Sequence, residues 1–562
     1  MTITDHYYKA QSDLRNHAMK NKYDYVVIGS GSAGSVIAAR LAEDPTVKVL
    51  LLEAGPSDDH IYIRMPAALG FPLMNDRFNW YYDSEAEPHL NNRKIHESRG
   101  RVLGGSSSIN GMNWVRANPR DYDNWSRMGL KGWSYAEVLP YFKKAETFDR
   151  GGNGYRGANG PMRIETCKAR NPLYHAYLQA GKQMGLDHVD DHNGFKQEGV
   201  HITQRNVGNG VRWNTFHGYI RTQPPKPNLD VQTGARVLRI ETSNHRAVRV
   251  VVRTSDGNAT YEVDRETILC GGAINSPQIL QLSGIGDADH LRSVGVAVTH
   301  HLPAVGLGLK DHVAAPVMYR ATKNVSAAKE LTLFGKAKLG AQWLLFKKGL
   351  GATNFFEVGT FMRVRKDEAI PDVQFEFVPM LGEFQHGNVK LENGFQYFFS
   401  LMRPKSEGRV WIGSDDPMAN PKFVFNYFKE REDIDLAIMA TKAIRDTVRQ
   451  RAWDEYRGAE FVPGPAVQTD AEIESWLRAT AGTNYHPCCS CRMGTSEKDS
   501  VVDSMGRVHG MEGLRVVDAS IMPEIVSGNL NAPVIMMAER IADDIRGRKP
   551  LEPQNAAYYL AQ

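Results

Sequence analysis

Tyr25-Val26-Val27-Ile28-Gly29-Ser30-Gly31-Ser32-Ala33-Gly34 is the stretch whose reading decides the fold. Its first four residues are apolar and mostly β-branched, as expected of a strand buried in a parallel sheet. After Gly34, Val36, Ile37, Ala39 and Leu41 recur at helical spacing, and Asp44-Pro45 stops the helix. A second apolar run, Val47 to Leu52, ends in Glu53. Strand, glycine turn, helix and strand in that order predict a Rossmann-like α/β unit. Gly29 permits the tight turn, Gly31 lets the backbone approach a pyrophosphate, and Gly34 lets helix and strand pack closely. Ser32 and Ala33 open the helix, whose positive end meets the phosphates. Glu53, about 20 residues on and followed by Ala54, accepts hydrogen bonds from ribose hydroxyls. An acid there suits an unphosphorylated ribose, so FAD or NAD rather than NADP. The motif alone does not separate those two.

The rest of the chain has the composition of a folded globular protein: 562 residues, 42% hydrophobic and 23% charged. That length predicts two or more domains. A net charge of +4 gives no argument for nucleic acid. Lys429 to Asp433 mixes signs and reads as a solvated face. Five cysteines without paired spacing point to a reducing, cytoplasmic compartment. Residues 1–21 lack the apolar core of a signal peptide and read as a polar extension. No run of about 18 apolar residues predicts a membrane span. Peripheral contact with a membrane stays open.

Three further stretches select the cofactor. They are Arg99-Gly100-Arg101-Val102-Leu103-Gly104-Gly105-Ser106-Ser107-Ser108-Ile109-Asn110-Gly111-Met112, then Gly271-Gly272-Ala273-Ile274-Asn275-Ser276-Pro277 through Gly286, and last Tyr485-His486-Pro487 through Asp518-Ala519-Ser520 to Asn529-Leu530-Asn531-Ala532-Pro533. The first makes physical sense unaided: a Gly/Ser loop with many donors and few side chains can lie flat on a ring and its phosphates. In this order the three resemble the signatures of the GMC (glucose–methanol–choline) oxidoreductases, which are flavoenzymes. Leu302 to Gly306 with Asp311-His312 resembles the segment that usually follows the second signature. The resemblance covers residues 22 to about 548, and the runs Gly506–Pro523 and Met65–Leu73 are most like the bacterial choline-dehydrogenase branch.

The resemblance implies that Val102, Gly105, Asn110, Gly111, Met112 and Asn113 line the flavin. Val237 then meets the adenine, and Asp518 and Ala519 meet the pyrophosphate or ribityl region. Ile109 stands where relatives with covalent FAD carry a histidine, so FAD is expected to bind non-covalently. It also implies that His486 is the catalytic residue. An imidazole with an ordinary pKa near 6.5 can take the hydroxyl proton while a hydride leaves for flavin N5. Asn529 matches the partner position opposite that histidine and can donate to the substrate oxygen. Asn531 reads as a cofactor contact or helix cap, with Pro533 early in the following helix. The N-terminus of that helix is expected to point at the flavin.

The cysteines near His486 invite a metal reading. Cys488 and Cys489 are adjacent and project differently, and Cys488 and Cys491 have no second pair, so buried packing is expected and no metal.

Between about 320 and 484 the pattern changes. Val373–Val378 and part of Phe395–Leu401 alternate, and Arg409–Gly413 follows a turn; all three read as antiparallel strands with one wet face. Stretches 431–450 and 470–480 read as helices. The expected architecture is a discontinuous FAD-binding domain (22–160, 201–319, 485–548), an α+β substrate domain on an antiparallel sheet (161–200, 320–484) and a tail, 549–562.

A quaternary ammonium substrate wants aromatic walls and a carboxylate. Phe356, Glu357, Tyr485 and His386 are the candidates. The expected activity is oxidation of a primary alcohol, choline leading, with a quinone, dye-like acceptor or oxygen taking the electrons. An oxidase of aliphatic alcohols, polyols or polyethers and a non-redox lyase remain alternatives.

Overall fold

The computed structural model describes residues 21–385 and 388–561. The opening stretch folds as read. Strand β1, Lys22–Ile28, runs into helix α1, Ser32–Leu41, and strand β2, Val49–Leu52, lies beside β1. β1 is parallel both to β2, with Ile28 opposite Leu52, and to the long strand Gly257–Leu269, with Ile28 opposite Leu269. Both edges of β1 are therefore paired, and Val26, Val27 and Ile28 are buried on both faces, as the unbroken apolar run requires. The sheet has seven strands. Leu229–Gln232 extends it beyond β2, and Arg236–Ser243 with Arg246–Thr254 add an antiparallel edge.

Two glycines hold this unit together. Gly29 has φ +96°, a left-handed conformation that only glycine adopts freely. A Cβ on Gly34 would lie 1.8 Å from the Gly29 carbonyl oxygen, so α1 touches the turn backbone to backbone. Helix α2, Gly272–Leu282, follows the long strand.

A second seven-stranded sheet is antiparallel. Its order runs Arg457–Val462, Val313–Ala321, Gly394–Leu401, Val373–Val378, Val358–Met362, Gly199–Ile202, and the short Gly482–Thr483 also pairs with Val313–Ala321. The expected boundary at 200/201 falls inside Gly199–Ile202, and that at 319/320 falls inside Val313–Ala321. Sheet pairing, not composition, decides which unit those residues join.

Two strand expectations need correction. Val373–Val378 alternates, yet all six residues are buried, as are seven of the eight in its neighbour Gly394–Leu401, because both are central strands whose polar positions face the protein interior rather than solvent. The strand Gly408–Trp411 is outside this sheet; it pairs with Leu307–Leu309 and Lys422–Val424 in a separate three-stranded sheet.

Helices Arg431–Val448 and Asp470–Thr480 cover this half as expected. Helix α3, Leu333–Phe346, is tied down by Trp343, whose indole N–H donates to the Gly210 carbonyl at 2.7 Å. Helix α4, Asn531–Ile545, packs on α1 and is buried almost throughout, which is more than the single stripe of Val534, Met537, Ala538, Ile541 and Ile545 required. The tail lies along the body, with Leu551 N–H on the Tyr141 hydroxyl and Tyr558 on Asp123.

Candidate active site

A cavity of about 1430 Å³ runs from the Gly29–Gly31 turn to His486, between the two sheets. Gly29, Gly31, Ser32, Ala33, Glu53 and Ala54 line one end, with Val237 beside them. Glu53 is held by the turn it serves: one carboxylate oxygen accepts from Ser30 N (3.1 Å) and Ser30 Oγ (2.7 Å), the other from Gly55 N (2.9 Å). Burial pushes its pKa upward against those bonds.

Asp518 does similar work in the middle. It accepts from Gly272 N (2.8 Å), Ser276 Oγ (2.6 Å) and Ser520 N (2.8 Å), joining the second glycine turn to the C-terminal segment. Ala519 and Asn531 lie alongside it on the cavity wall. Asn531 is the first residue of α4 and not its cap; its Oδ1 accepts from Ser32 Oγ at 2.7 Å. The N-termini of α1 and α4 therefore converge on one wall.

Gly105, Asn110, Gly111, Met112 and Asn113 line the cavity toward His486. A Cβ on Gly105 would come within 2.7 Å of Gly31 Cα, so the two glycine loops abut and present a wall of bare backbone. Three expected residues are not on the wall. Gly34 faces the Gly29 turn. Val102 sits behind, in a small apolar cluster with Ile63, Phe78 and Ile109. Glu357 points away: its carboxylate accepts from Ala169 N (2.7 Å) and Thr353 Oγ1 (2.6 Å), with Arg205 3.6 Å off. Adjacent residues on an extended chain face opposite ways, so Phe356 reaches the cavity and Glu357 does not. His386 lies outside the described residues.

A further carboxylate on the wall is Glu376, from Val373–Val378. Asn113 Nδ2 donates to it at 2.9 Å and Asn484 Nδ2 at 3.4 Å, while burial raises its pKa. Phe356, Phe398 and Tyr485 are aromatic neighbours on the same wall.

His486 and Asn529 meet here, Asn529 Nδ2 lying 3.2 Å from His486 Nε2. The hydrogen-bond chain behind the ring assigns its tautomer. His312 Nε2 faces the carbonyls of Val526 (3.0 Å) and Met402 (3.2 Å), which can only accept, so that nitrogen carries the proton. Burial pushes the His312 pKa down to about 4, so His312 is neutral and its Nδ1 is bare. His486 Nδ1, 3.0 Å away, must then donate. This leaves His486 Nε2 unprotonated and directed into the cavity. The His486 amide donates to Asp311 at 2.7 Å, and Arg99 Nη2 donates to the Tyr485 carbonyl at 2.6 Å. The backbone on both sides of the ring is thereby fixed. Burial, His312 and Arg99 together hold the His486 pKa well below the usual imidazole value.

Cys488, Cys489 and Cys491 are fully buried in the large apolar core, and burial pushes the Cys488 and Cys491 thiols well up.

The wall fits a flavin dinucleotide. It offers a backbone cradle with no room for a Cβ, two helix N-termini, the buried Glu53 carboxylate at the turn, and a buried Asn531 Nδ2 with no partner among the described residues. Family profiles described as GMC oxidoreductase match residues 23–314 and 404–538. The chain belongs to the GMC oxidoreductase family. It is similar to the oxygen-dependent choline dehydrogenase of Ectopseudomonas mendocina (strain ymp), 47% identical over 550 residues, 97% of each chain. The corresponding protein of Burkholderia multivorans is 46% identical over 545 residues, 96% of each. Among solved structures, pyridoxine 4-oxidase from Mesorbium loti superposes with a TM-score of 0.84 at 30% identity, over 94% of this chain and all of that one. A formate oxidase superposes at 0.88 and 25%, over 94% and 98%.

Sequence reasoning missed two members of this GMC oxidoreductase site. His312 was visible as Asp311-His312, but its task depends on carbonyls 90 and 214 residues away. Glu376 was visible as a polar position in an alternating strand, a signal that reads equally well as solvent exposure.

Proposed function

We propose that this enzyme oxidises choline, a primary alcohol bearing a quaternary ammonium group, to its aldehyde. The observation that carries this reading is the placing of the bare His486 Nε2, the Asn529 amide and the buried Glu376 carboxylate on one cavity wall. The hydroxyl binds between His486 and Asn529. His486 Nε2 takes its proton, and Asn529 Nδ2 steadies the charge that builds on oxygen. Gln374 Nε2, 3.3 Å from Asn529 Oδ1, keeps that amide's donor side toward the substrate. Glu376 faces the trimethylammonium group, with Phe356 and Tyr485 as apolar walls. FAD, held non-covalently past Ile109 by the Gly29–Gly34 turn, the Gly105–Asn113 loop and the Asp518–Ala519 segment, supplies the acceptor for the carbinol hydrogen and its electron pair. Oxygen, a quinone or a dye-like acceptor then takes the electrons. The choline dehydrogenases at 47% identity support the substrate class.

Two measurements test this. Under anaerobic conditions, choline should bleach the visible flavin bands of the purified protein, and simple aliphatic alcohols should do so far more slowly. A colourless protein that cannot take up FAD would sink the reading.

The second compares choline with its uncharged isostere, 3,3-dimethylbutan-1-ol. Glu376→Gln should raise KM for choline roughly 30-fold, the equivalent of about 2 kcal/mol of charge attraction, and leave the isostere unaffected. The raised pKa of Glu376 has the same signature in the wild type. Its ionised form is lost as pH falls through a value above the ordinary 4.5, so choline binding should weaken there first. Equal changes for both alcohols would remove Glu376 from cation recognition.

A further inference from the structure

Helix α3 carries apolar residues on its outward side. At about 100° per residue, Leu333, Phe334, Ala337, Ala341, Leu344 and Leu345 fall within an arc of roughly 120°. Leu333 is 89% exposed, Phe334 81% and Leu345 74%. On the opposite side Leu339 and Trp343 are buried, and the Trp343–Gly210 bond anchors the helix there. The helix is thus firmly mounted with its apolar residues facing out. Single exposed apolar side chains are ordinary, but a contiguous set on one helix marks a contact surface.

Charge says what the contact is. Lys336, Lys338, Lys347 and Lys348 flank the apolar face, and no acid occurs between Glu330 and Glu357. Glu357 is buried and already paired. An apolar face ringed by lysines complements a bilayer with anionic headgroups. A two-fold pairing of copies through this face would bring the same lysines together.

The patch sits beside the cavity. The turn Gly349–Ala352 after α3 packs on Pro66–Ala68. Exposed Phe71 follows, stacked on Tyr62 with ring centres 4.5 Å apart. That segment also supplies Leu69, Leu73 and Met74 to the cavity wall. No helix among the described residues is long and apolar enough to cross a membrane, so attachment here is interfacial.

We propose that α3 is a docking surface for an anionic lipid bilayer and seats the membrane next to the Leu69–Met74 rim of the active-site cavity. The test is co-sedimentation of the full-length holoenzyme with phosphatidylcholine vesicles, with and without phosphatidylglycerol. The wild type should bind the anionic vesicles, and salt should weaken the binding. L333Q/F334Q should bind at least about 100-fold more weakly, from two lost apolar insertions, with turnover in solution unchanged. K336Q/K338Q should weaken binding to the anionic vesicles only. A wild type that stays in the supernatant, binds both vesicle types equally, or is matched by L333Q/F334Q would overturn the proposal. So would concentration-dependent self-association of the wild type, abolished by L333Q/F334Q, without vesicle binding.

Discussion

His486→Ala is expected to lower turnover at least about 100-fold, the lower end of what general acid–base assistance contributes, with little change in flavin content. The side chain contributes a bare Nε2 whose direction the His312 chain sets, and alanine removes it without disturbing the backbone bonds to Asp311 and Arg99. The pH profile adds a second reading. The His486 pKa is depressed, so the competent neutral form persists as pH falls and is lost only well below the ordinary 6.5. With 3,3-dimethylbutan-1-ol, which bypasses Glu376, kcat/KM should be level from pH 8 down to about 6. An acid limb above 6.5, or an alanine variant with wild-type turnover, would mean that another group takes the proton.

Gly34→Ala should be nearly as damaging although it adds only a methyl group far from the chemistry. The new Cβ would need to occupy a point 1.8 Å from the Gly29 carbonyl oxygen, which is backbone and cannot rotate away. Either α1 lifts off β1 or the turn reshapes. We expect a loss of about 3 kcal/mol, the upper end for overpacking, and a protein purified largely without flavin. The measurements are denaturant unfolding and the ratio of flavin to protein absorbance. A variant that keeps full flavin and wild-type stability would show that helix and turn are not in contact as described.

The two predictions rest on different kinds of information. The Gly34 argument was nearly complete in the residue order. A β-branched run, three spaced glycines, a 3.6-residue apolar repeat and an acid at the next strand end are local features, and local sterics and propensity act on them directly. The Gly/Ser stretch around 105 was equally legible as a loop, because glycine and serine density is itself a backbone property.

What the residue order could not decide was direction. Phe356 and Glu357 are neighbours, and only the folded chain around them turned the ring into the cavity and the carboxylate toward Ala169 and Thr353. Gln374 and Glu376 looked like a wet face until the sheet buried them, Glu376 on the cavity wall and Gln374 against Asn529. His486 stood out from its motif, but its tautomer depends on His312, Met402 and Val526, brought together from distant parts of the chain. Burial and hydrogen-bond geometry are sums over neighbours in space. Only the tertiary structure supplies those neighbours, while the order of residues by itself determined the dinucleotide fold and where the chemistry gathers.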